Sequence, residues 1–176
     1  VVGLGVPVLY VILVMSFDKR VKSPDDLKRA TTVPLLGMIP HDDGEEHLVV
    51  RNRTNSAISE AFRSVRTNLS FMIRKENLAE GVSPKVIQLT SSMGGEGKSF
   101  CSINLAASLA IGGQKTIVVG LDLRKPKLAE YFQLSNEVGA SSVLAGICSL
   151  SDAITHTSTP GLDVLVAGPI PPNPSE

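Results

Sequence analysis

The sequence predicts an α/β fold with a mainly parallel sheet and flanking helices. Short apolar runs at residues 85–90 and 115–121 have the length and composition of buried strands, and a third strand is expected at residues 162–166. Residues 99–111 lie between the first two runs and form an apolar helical pattern that ends at two glycines. Strands that alternate with helices favour parallel pairing, because each crossover helix returns the chain to the same end of the sheet.

The spacing of apolar residues predicts further helices. Between residues 56 and 74, apolar side chains recur at steps of three and four, which is the pattern of an amphipathic helix. A cluster at residues 54–56 offers an N-cap for this helix. Shorter helices are expected at residues 127–132 and 142–145.

A glycine-rich loop joins the first predicted strand to the helix that follows it. Residues 92–99 fit the Walker A pattern, GxxxxGK followed by serine or threonine, except that Ser92 replaces the first glycine. Such a loop directs backbone N–H groups and a helix N-terminus at phosphate, while Lys98 would reach the β and γ phosphates and Ser99 would bind magnesium. The predicted cofactors are therefore ATP and Mg²⁺, in a domain of the P-loop NTPase type. The predicted nucleotide-binding residues are Ser92, Met93, Gly94, Gly95, Glu96, Gly97, Lys98, Ser99 and Phe100.

An aspartate ends the second predicted strand. Asp122 is expected at the carboxyl end of the sheet beside the glycine-rich loop, where a carboxylate can hold magnesium or an attacking hydroxyl. Asp122 is therefore predicted, with Lys98, as a catalytic residue and, with Ser99, as a metal ligand. A solvated aspartate paired with Arg124 is the alternative that this pattern leaves open.

The first residues predict attachment to a membrane. Residues 1–17 carry no charged side chain, and a basic cluster that includes Lys19, Arg20 and Lys22 follows them. This order predicts a transmembrane helix at residues 1–17 and a cytoplasmic position for the residues after about 18. Residues 18–54 are predicted to form a juxtamembrane linker with little regular structure, and residues 55–176 the N-terminal part of the P-loop domain. The chain opens inside an apolar run and stops after a proline-rich turn, so we expect a fragment truncated at its C-terminus.

At these motifs the chain resembles the bacterial tyrosine kinases that are fused to polysaccharide co-polymerase membrane domains, within the wider class of division-site and partitioning ATPases. Residues 92–99 correspond to the Walker A loop of that family, and residues 118–124 to its second motif. Gly120 stands where the family has the first aspartate of that motif, while Asp122 and Arg124 match the rest. The resemblance adds Arg124 to the predicted catalytic residues. It implies an ATP-dependent protein tyrosine (auto)kinase that regulates capsular or exopolysaccharide polymerisation and export at the bacterial inner membrane.

The resemblance also implies partners. Glu60, Arg63 and Arg66 match the ExxRxxR signature of the family, whose side chains bridge neighbouring subunits in a ring. From the pattern alone, the same residues fit the solvated face of an amphipathic helix. The other implied partners are the membrane, the polysaccharide export machinery and the tyrosine-rich tail of a neighbouring subunit, which we expect beyond Glu176 together with a Walker B strand. Residues 168–174 resemble the proline-rich loop that follows the third strand of the family.

Two other functions stay open. A membrane-anchored ATPase of the partitioning type would hydrolyse ATP, but Met93 stands near the position of the signature lysine of such ATPases. A catalytically weak, nucleotide-sensing scaffold of a polysaccharide co-polymerase is favoured by Gly120.

The composition indicates no nucleic acid as a partner, because 17 basic and 17 acidic residues give no net charge. The two cysteines, Cys101 and Cys148, are far apart and indicate neither a disulfide framework nor a zinc site.

Overall fold

The computed structural model describes residues 2–17, 23–44, 46–76 and 85–173. Contacts within the chain divide it into two units, Val1–Leu36 and Gly37–Glu176. The helices and strands of the described residues are, in chain order, α1 Val2–Phe17, α2 Pro24–Ala30, α3 Val49–Asn52, α4 Ala57–Glu76, α5 Lys98–Ile111, β1 Thr116–Val119, α6 Leu128–Phe132, α7 Ala140–Leu144, α8 Leu150–Ala153, β2 Ile154–His156 and β3 Leu162–Leu165.

The first unit contains α1 and α2. Helix α1 is uncharged and has Pro7 in its interior. Over the residues that the structure describes, no helix is both long enough and apolar enough to cross a membrane, so the predicted transmembrane span at residues 1–17 is unsupported. The basic cluster at residues 19–22 lies outside the described residues.

Helix α2 adds regular structure to the segment that was predicted to be an irregular linker. Its N-terminus carries a capping box, in which Ser23 Oγ accepts the Asp26 N–H at 3.2 Å and the Asp26 carboxylate accepts the Ser23 N–H at 3.0 Å. Pro24 occupies the first helical turn, where no intrahelical partner is needed for its nitrogen. A segment rich in proline and charged residues, which predicted irregular structure, therefore contains a short helix with a complete N-terminal capping box.

The described sheet has three strands in the order β1-β3-β2 and is mixed. Strand β1 pairs with β3 in parallel, with Thr116 opposite Leu162 and Val119 opposite Leu165. Strand β2 pairs with β3 in the antiparallel direction, which the short connection at residues 157–161 permits because it can only form a hairpin. The two strand segments and a mainly parallel sheet were predicted, whereas the pairing of β1 with β3 and the antiparallel β2 were not.

The strand that was predicted at residues 85–90 is wrong for the described structure. This segment belongs to no strand of the described sheet, and Val86 is 98% exposed. A strand requires a neighbour for its backbone N–H and C=O groups, and β1 is paired only with β3 within the described residues. Apolar composition alone therefore did not specify the pairing. The helices predicted at residues 56–74 and 99–111, and the strands at 115–121 and 162–166, are confirmed as α4, α5, β1 and β3 with small changes of their ends.

Helix α5 is the centre of the second unit. Every residue from Ile103 to Ala110 is buried, because α3 and α4 cover one side of this helix and the sheet covers another. The small alanines allow close approach of the strands to the helix. The main core cluster is formed by Ile103, Ala106, Ala107, Ala110, Val118, Leu128, Ala129, Leu162, Val164 and Val166.

A buried asparagine of α5 holds the segment that precedes α4. Asn104 is fully buried; its Oδ1 accepts the Val50 N–H at 3.1 Å, and its Nδ2 donates to the carbonyls of His47 at 2.7 Å and Phe100 at 3.0 Å. The hydroxyl of buried Ser59 in α4 donates to the Arg53 carbonyl at 2.7 Å and lies 3.2 Å from the Val49 carbonyl. These bonds satisfy polar groups that would otherwise be buried without partners.

An ion pair reinforces the same segment nearer its start. The Arg53 guanidinium forms a salt bridge with Asp42, and this contact lowers the pKa of the Asp42 carboxyl below its usual range. Glu46 lies 3.2 Å from the same guanidinium. Gly37 packs so closely on Val65 of α4 that a Cβ at this position would lie 2.7 Å from Val65 Cγ2. Residues 37–44 and 46–53 therefore pack on the second unit rather than extend away from it.

We expect Asn104→Ala to lower the free energy of unfolding by about 1–3 kcal/mol, because it leaves the buried Val50 N–H and His47 carbonyl without partners. Urea denaturation followed by circular dichroism measures this change. Asn52→Ala, at an exposed position of α3, is the matched control and should change stability by less than about 0.5 kcal/mol. Equal stability of the two variants would contradict the role given to Asn104.

Candidate nucleotide-binding site

The glycine-rich loop adopts a conformation that its glycines permit. Gly95 and Gly97 have φ values of 88° and 81°, in the left-handed region that residues with a Cβ rarely adopt. Gly97 is the N-cap of α5, so the loop leads directly into the buried helix. A Cβ added at Gly94, Gly95 or Gly97 would meet no atom within 4 Å, which shows that this side of the loop is open.

The loop and the first turn of α5 present unused hydrogen-bond donors. Among the described residues, no acceptor is bound by the backbone N–H groups from Gly94 to Phe100. The Lys98 ammonium and the Ser99 hydroxyl likewise have no partner in the described part of the chain. A helix N-terminus with free N–H groups and an adjacent lysine is a site for an anion, since the partial positive charge of the helix end adds to that of the ammonium. These donors fit the phosphates of ATP.

Other predicted loop residues have roles inside the protein. The ring of Phe100 lies beside that of Phe62 with 6.0 Å between centroids, so it packs inward and leaves only its N–H for a ligand. The Glu96 carboxylate accepts hydrogen bonds from Met93 and Ser92 of its own loop. Burial raises the pKa of the neighbouring Cys101 thiol, which favours the protonated form and not a nucleophilic thiolate.

Asp122 is held in a turn of its own. Its Oδ1 accepts the N–H groups of Arg124 at 3.2 Å and Lys125 at 3.0 Å, and the side chain is exposed. No hydrogen bond or ion pair of the described residues joins Asp122 to Lys98 or Ser99. One carboxylate oxygen serves the turn, and the hydroxyl of Ser99 and the carboxylate of Asp122 are each an oxygen ligand of the kind that magnesium prefers.

The packing at Gly120 explains how a glycine is accommodated in the second motif. A Cβ at this position would lie 3.1 Å from Leu128 Cδ2 and 3.4 Å from the Ala167 nitrogen. Leu128 belongs to the main core cluster, so there is little room for it to retreat. A Cβ at residue 120 would therefore lie between the Leu128 side chain of α6 and the backbone that follows β3.

The structure separates the three residues of the ExxRxxR motif. Arg63 is paired with Glu60 on the same helix at 2.8 Å and donates to the Thr54 carbonyl at 2.8 Å. Arg66 instead donates through Nη1 to the carbonyl of Ser108 at 2.7 Å and lies against Gly112, at the C-terminus of α5. Arg66 is therefore bound within the chain at the end of α5, where the partial charge of the helix attracts a cation, and the interface role of the three residues stays a prediction.

One asparagine that the sequence did not single out shapes the proline-rich loop. Asn136 Nδ2 donates to the Gly168 carbonyl at 2.8 Å, and Asn136 Oδ1 accepts the Gly168 N–H at 2.9 Å. Gly168 has a φ of 80°, and Gly139 packs against it so closely that neither residue has room for a Cβ. In the sequence, a glycine directly after the third predicted strand was the only sign of a turn at this position. Its partner Asn136 could not be inferred, because it lies 32 residues away in sequence.

A cavity of about 520 Å³ lies elsewhere in the second unit, between α3, α6 and the β2–β3 connection. His47 and Tyr131 form part of its wall, with ring centroids 4.2 Å apart. None of the predicted site residues lines it. The candidate site is therefore the open loop surface at the start of α5 and not this cavity.

Comparison with known proteins identifies the relatives of this chain. Residues 85–159 match the family model described as ATPase MipZ. The chain is 37% identical over 132 residues to the tyrosine-protein kinase YwqD of Bacillus subtilis, covering 75% of this chain and 53% of that protein. It is 39% identical over 130 residues to the tyrosine-protein kinase etk of Escherichia coli, covering 73% of this chain and 17% of that protein. The chain thus spans about half the length of the first relative and less of the second.

The structural comparison agrees with the sequence comparison. The kinase domain of the Escherichia coli tyrosine kinase ETK superimposes with a TM-score of 0.76 and 31% identity, covering 89% of this chain and 63% of that domain. The similarity therefore includes both the Walker A loop and the segment before it. Bacterial proteins named tyrosine-protein kinases, and their kinase domains, are homologues of this chain.

Proposed function

We propose that this chain is part of an ATP-dependent protein tyrosine kinase that regulates capsular or exopolysaccharide polymerisation and export. The observation that carries the proposal is the set of free N–H groups at the start of α5, with Lys98 and Ser99 beside them. Such a cluster suits the phosphates of a nucleotide, and the homologues named tyrosine-protein kinases support transfer to tyrosine. The chain covers only part of those relatives, so the activity of the whole protein belongs to this proposal.

In the proposed reaction, the oxygen of an acceptor tyrosine forms a bond with the γ-phosphorus of ATP. The bond between that phosphorus and the β–γ bridging oxygen breaks, ADP leaves, and the phenol proton is lost to solvent. The loop N–H groups and Lys98 stabilise the negative charge on the transferred group and hold it in line. Ser99 and the carboxylate of Asp122 would hold Mg²⁺, which neutralises charge on the β and γ oxygens.

Lys98→Ala should weaken Mg·ATP binding by at least about tenfold and abolish phosphotyrosine formation, because it removes the side-chain cation of the phosphate site. Calorimetry measures the affinity, and transfer of labelled phosphate to a tyrosine-containing polymer measures the activity. Lys115→Ala removes an exposed cation beyond the far end of α5 and is the matched control. Unchanged affinity of the Lys98→Ala protein would refute the assignment of the loop.

Asp122→Asn should keep the turn, because the amide oxygen can still accept the two N–H groups, but it removes the charge that magnesium requires. We expect ATP binding in the presence of a chelator to be unchanged and phosphotransfer at limiting Mg²⁺ to fall by about tenfold or more. A magnesium titration of the transfer rate measures this. A normal magnesium dependence would exclude Asp122 as a ligand.

A second candidate function is a nucleotide-sensing scaffold. The glycine at residue 120 favours it, because this motif lacks a second carboxylate, and a Cβ at this position would lie only 3.1 Å from Leu128 Cδ2. The scaffold would bind Mg·ATP through the same loop without transferring phosphate. Wild-type protein that binds ATP but forms neither phosphotyrosine nor inorganic phosphate would support this candidate, whereas release of inorganic phosphate alone would support an ATPase of the partitioning type.

We also propose that the chain assembles into a ring in which Glu60 and Arg63 lie at the subunit contact. Their ion pair, in which Glu60 is exposed and Arg63 is partly buried, supports this proposal, whereas the contact of Arg66 with α5 supports a role within one subunit. A tyrosine-rich tail of a neighbouring subunit and the export machinery would be the further partners.

Arg66→Ala should lower the free energy of unfolding by about 1–2 kcal/mol, because the C-terminal carbonyls of α5 lose their cation. Arg63→Ala should change stability by less than about 1 kcal/mol and should reduce oligomer size. Denaturation and analytical ultracentrifugation of both variants test the two roles. This division of roles is wrong if Arg66→Ala has the same free energy of unfolding as the wild type and Arg63→Ala has the same oligomer size as the wild type.

We further propose that residues 1–17 attach the chain to the bacterial inner membrane, with the rest in the cytoplasm. The absence of charge and the basic residues that follow support this proposal. We expect the intact chain to sediment with membranes until detergent is added, and deletion of residues 1–17 to release most of it. Deletion of residues 24–30 is the control and should leave it bound. Recovery of the intact chain in the soluble fraction, without detergent, would contradict the proposal.

A further inference from the structure

The Glu96 side chain folds back across its own loop. Its Oε2 accepts the Met93 N–H at 3.1 Å, and both carboxylate oxygens lie 3.4 Å from Ser92 Oγ. Ser91 Oγ donates to the Met93 carbonyl at 2.9 Å, which holds the next peptide group of the same loop. Glu96 is the only acidic residue between residues 91 and 99. The loop therefore holds a carboxylate of its own against two of its own donors.

The chemistry of these contacts is that of an anion in a phosphate loop. Backbone N–H and hydroxyl groups are the donors that such loops offer to phosphate oxygens, and a carboxylate competes for them because it is also an anion with two acceptor oxygens. Ser92, Met93 and Glu96 are exposed, so the Glu96 side chain is free to leave. Its negative charge would also repel a polyphosphate that binds to the neighbouring N–H groups.

We propose that Glu96 substitutes for phosphate in the nucleotide-free loop and must be displaced when a polyphosphate binds. Glu96 thereby lowers the affinity of the loop for the phosphate part of a nucleotide and has no effect on the nucleoside part. This inference rests on the proposed binding of ATP to the loop. A carboxylate that served only to brace the loop would have the opposite effect, because its removal would loosen the site and weaken binding.

The test compares Glu96→Gln with the wild-type full chain by calorimetry, using Mg·ATP, tripolyphosphate and adenosine as separate ligands. Glutamine keeps the size of the side chain and one acceptor oxygen but removes the charge. We expect ATP and tripolyphosphate to bind about three- to fivefold more tightly, the range for one exposed charge interaction, and adenosine to bind as before. Glu130→Gln, at an exposed carboxylate of α6, is the control and should change no affinity.

Three results would overturn the inference. If tripolyphosphate binds Glu96→Gln no more tightly than wild type, Glu96 does not occupy the place of phosphate. If adenosine gains as much affinity as tripolyphosphate, the substitution has rearranged the loop instead. If the wild type binds neither ATP nor tripolyphosphate, the proposed function itself fails, and this outcome is distinct from the first two because those require a wild type that binds.

Discussion

The burial of α5 is the constraint on which the rest of the second unit depends. The helix is apolar on almost every side, so it requires cover from the sheet, from α4 and from the segment before α4. Asn104 makes that cover specific, because its amide bonds groups at residues 47 and 50 as well as the carbonyl of Phe100. A buried amide with three partners allows one arrangement of the surrounding backbone, whereas apolar contact alone would allow several.

The two ends of α5 carry opposite partial charges, and each end suits a different partner. The N-terminus follows Gly97 and keeps its N–H groups free, which is the condition for binding an anion. The C-terminus bears the opposite partial charge and is covered by the Arg66 guanidinium of α4. The helix that presents the phosphate loop is thus held at its middle by Asn104 and at its far end by Arg66, and the loop can remain open without loss of the fold.

The second motif is less complete than the first. Asp122 uses one oxygen to close a turn, and Gly120 is packed against Leu128, so residues 118–124 offer one carboxylate, that of Asp122, whereas the phosphate loop is well formed. Nucleotide binding depends mainly on the loop, whereas phosphoryl transfer also depends on the position of magnesium. Nucleotide binding and phosphoryl transfer therefore need separate measurements for this chain, even though its homologues are named kinases.

The sequence by itself determined the phosphate loop, the helices on either side of it in the chain and the segments that form β1 and β3. Glycine spacing, a lysine at a helix start and apolar periodicity are local signals, and each acts within about one turn or one strand. The tertiary structure alone decided which groups are used inside the fold. Arg66 belongs to the end of α5, Asn104 to residues 47–50 and Asn136 to Gly168, because each partner is more than 30 residues distant in sequence. Strand pairing was also a tertiary matter, since residues 85–90 have a strand-like composition without a strand neighbour, and β2 has a neighbour despite only three residues.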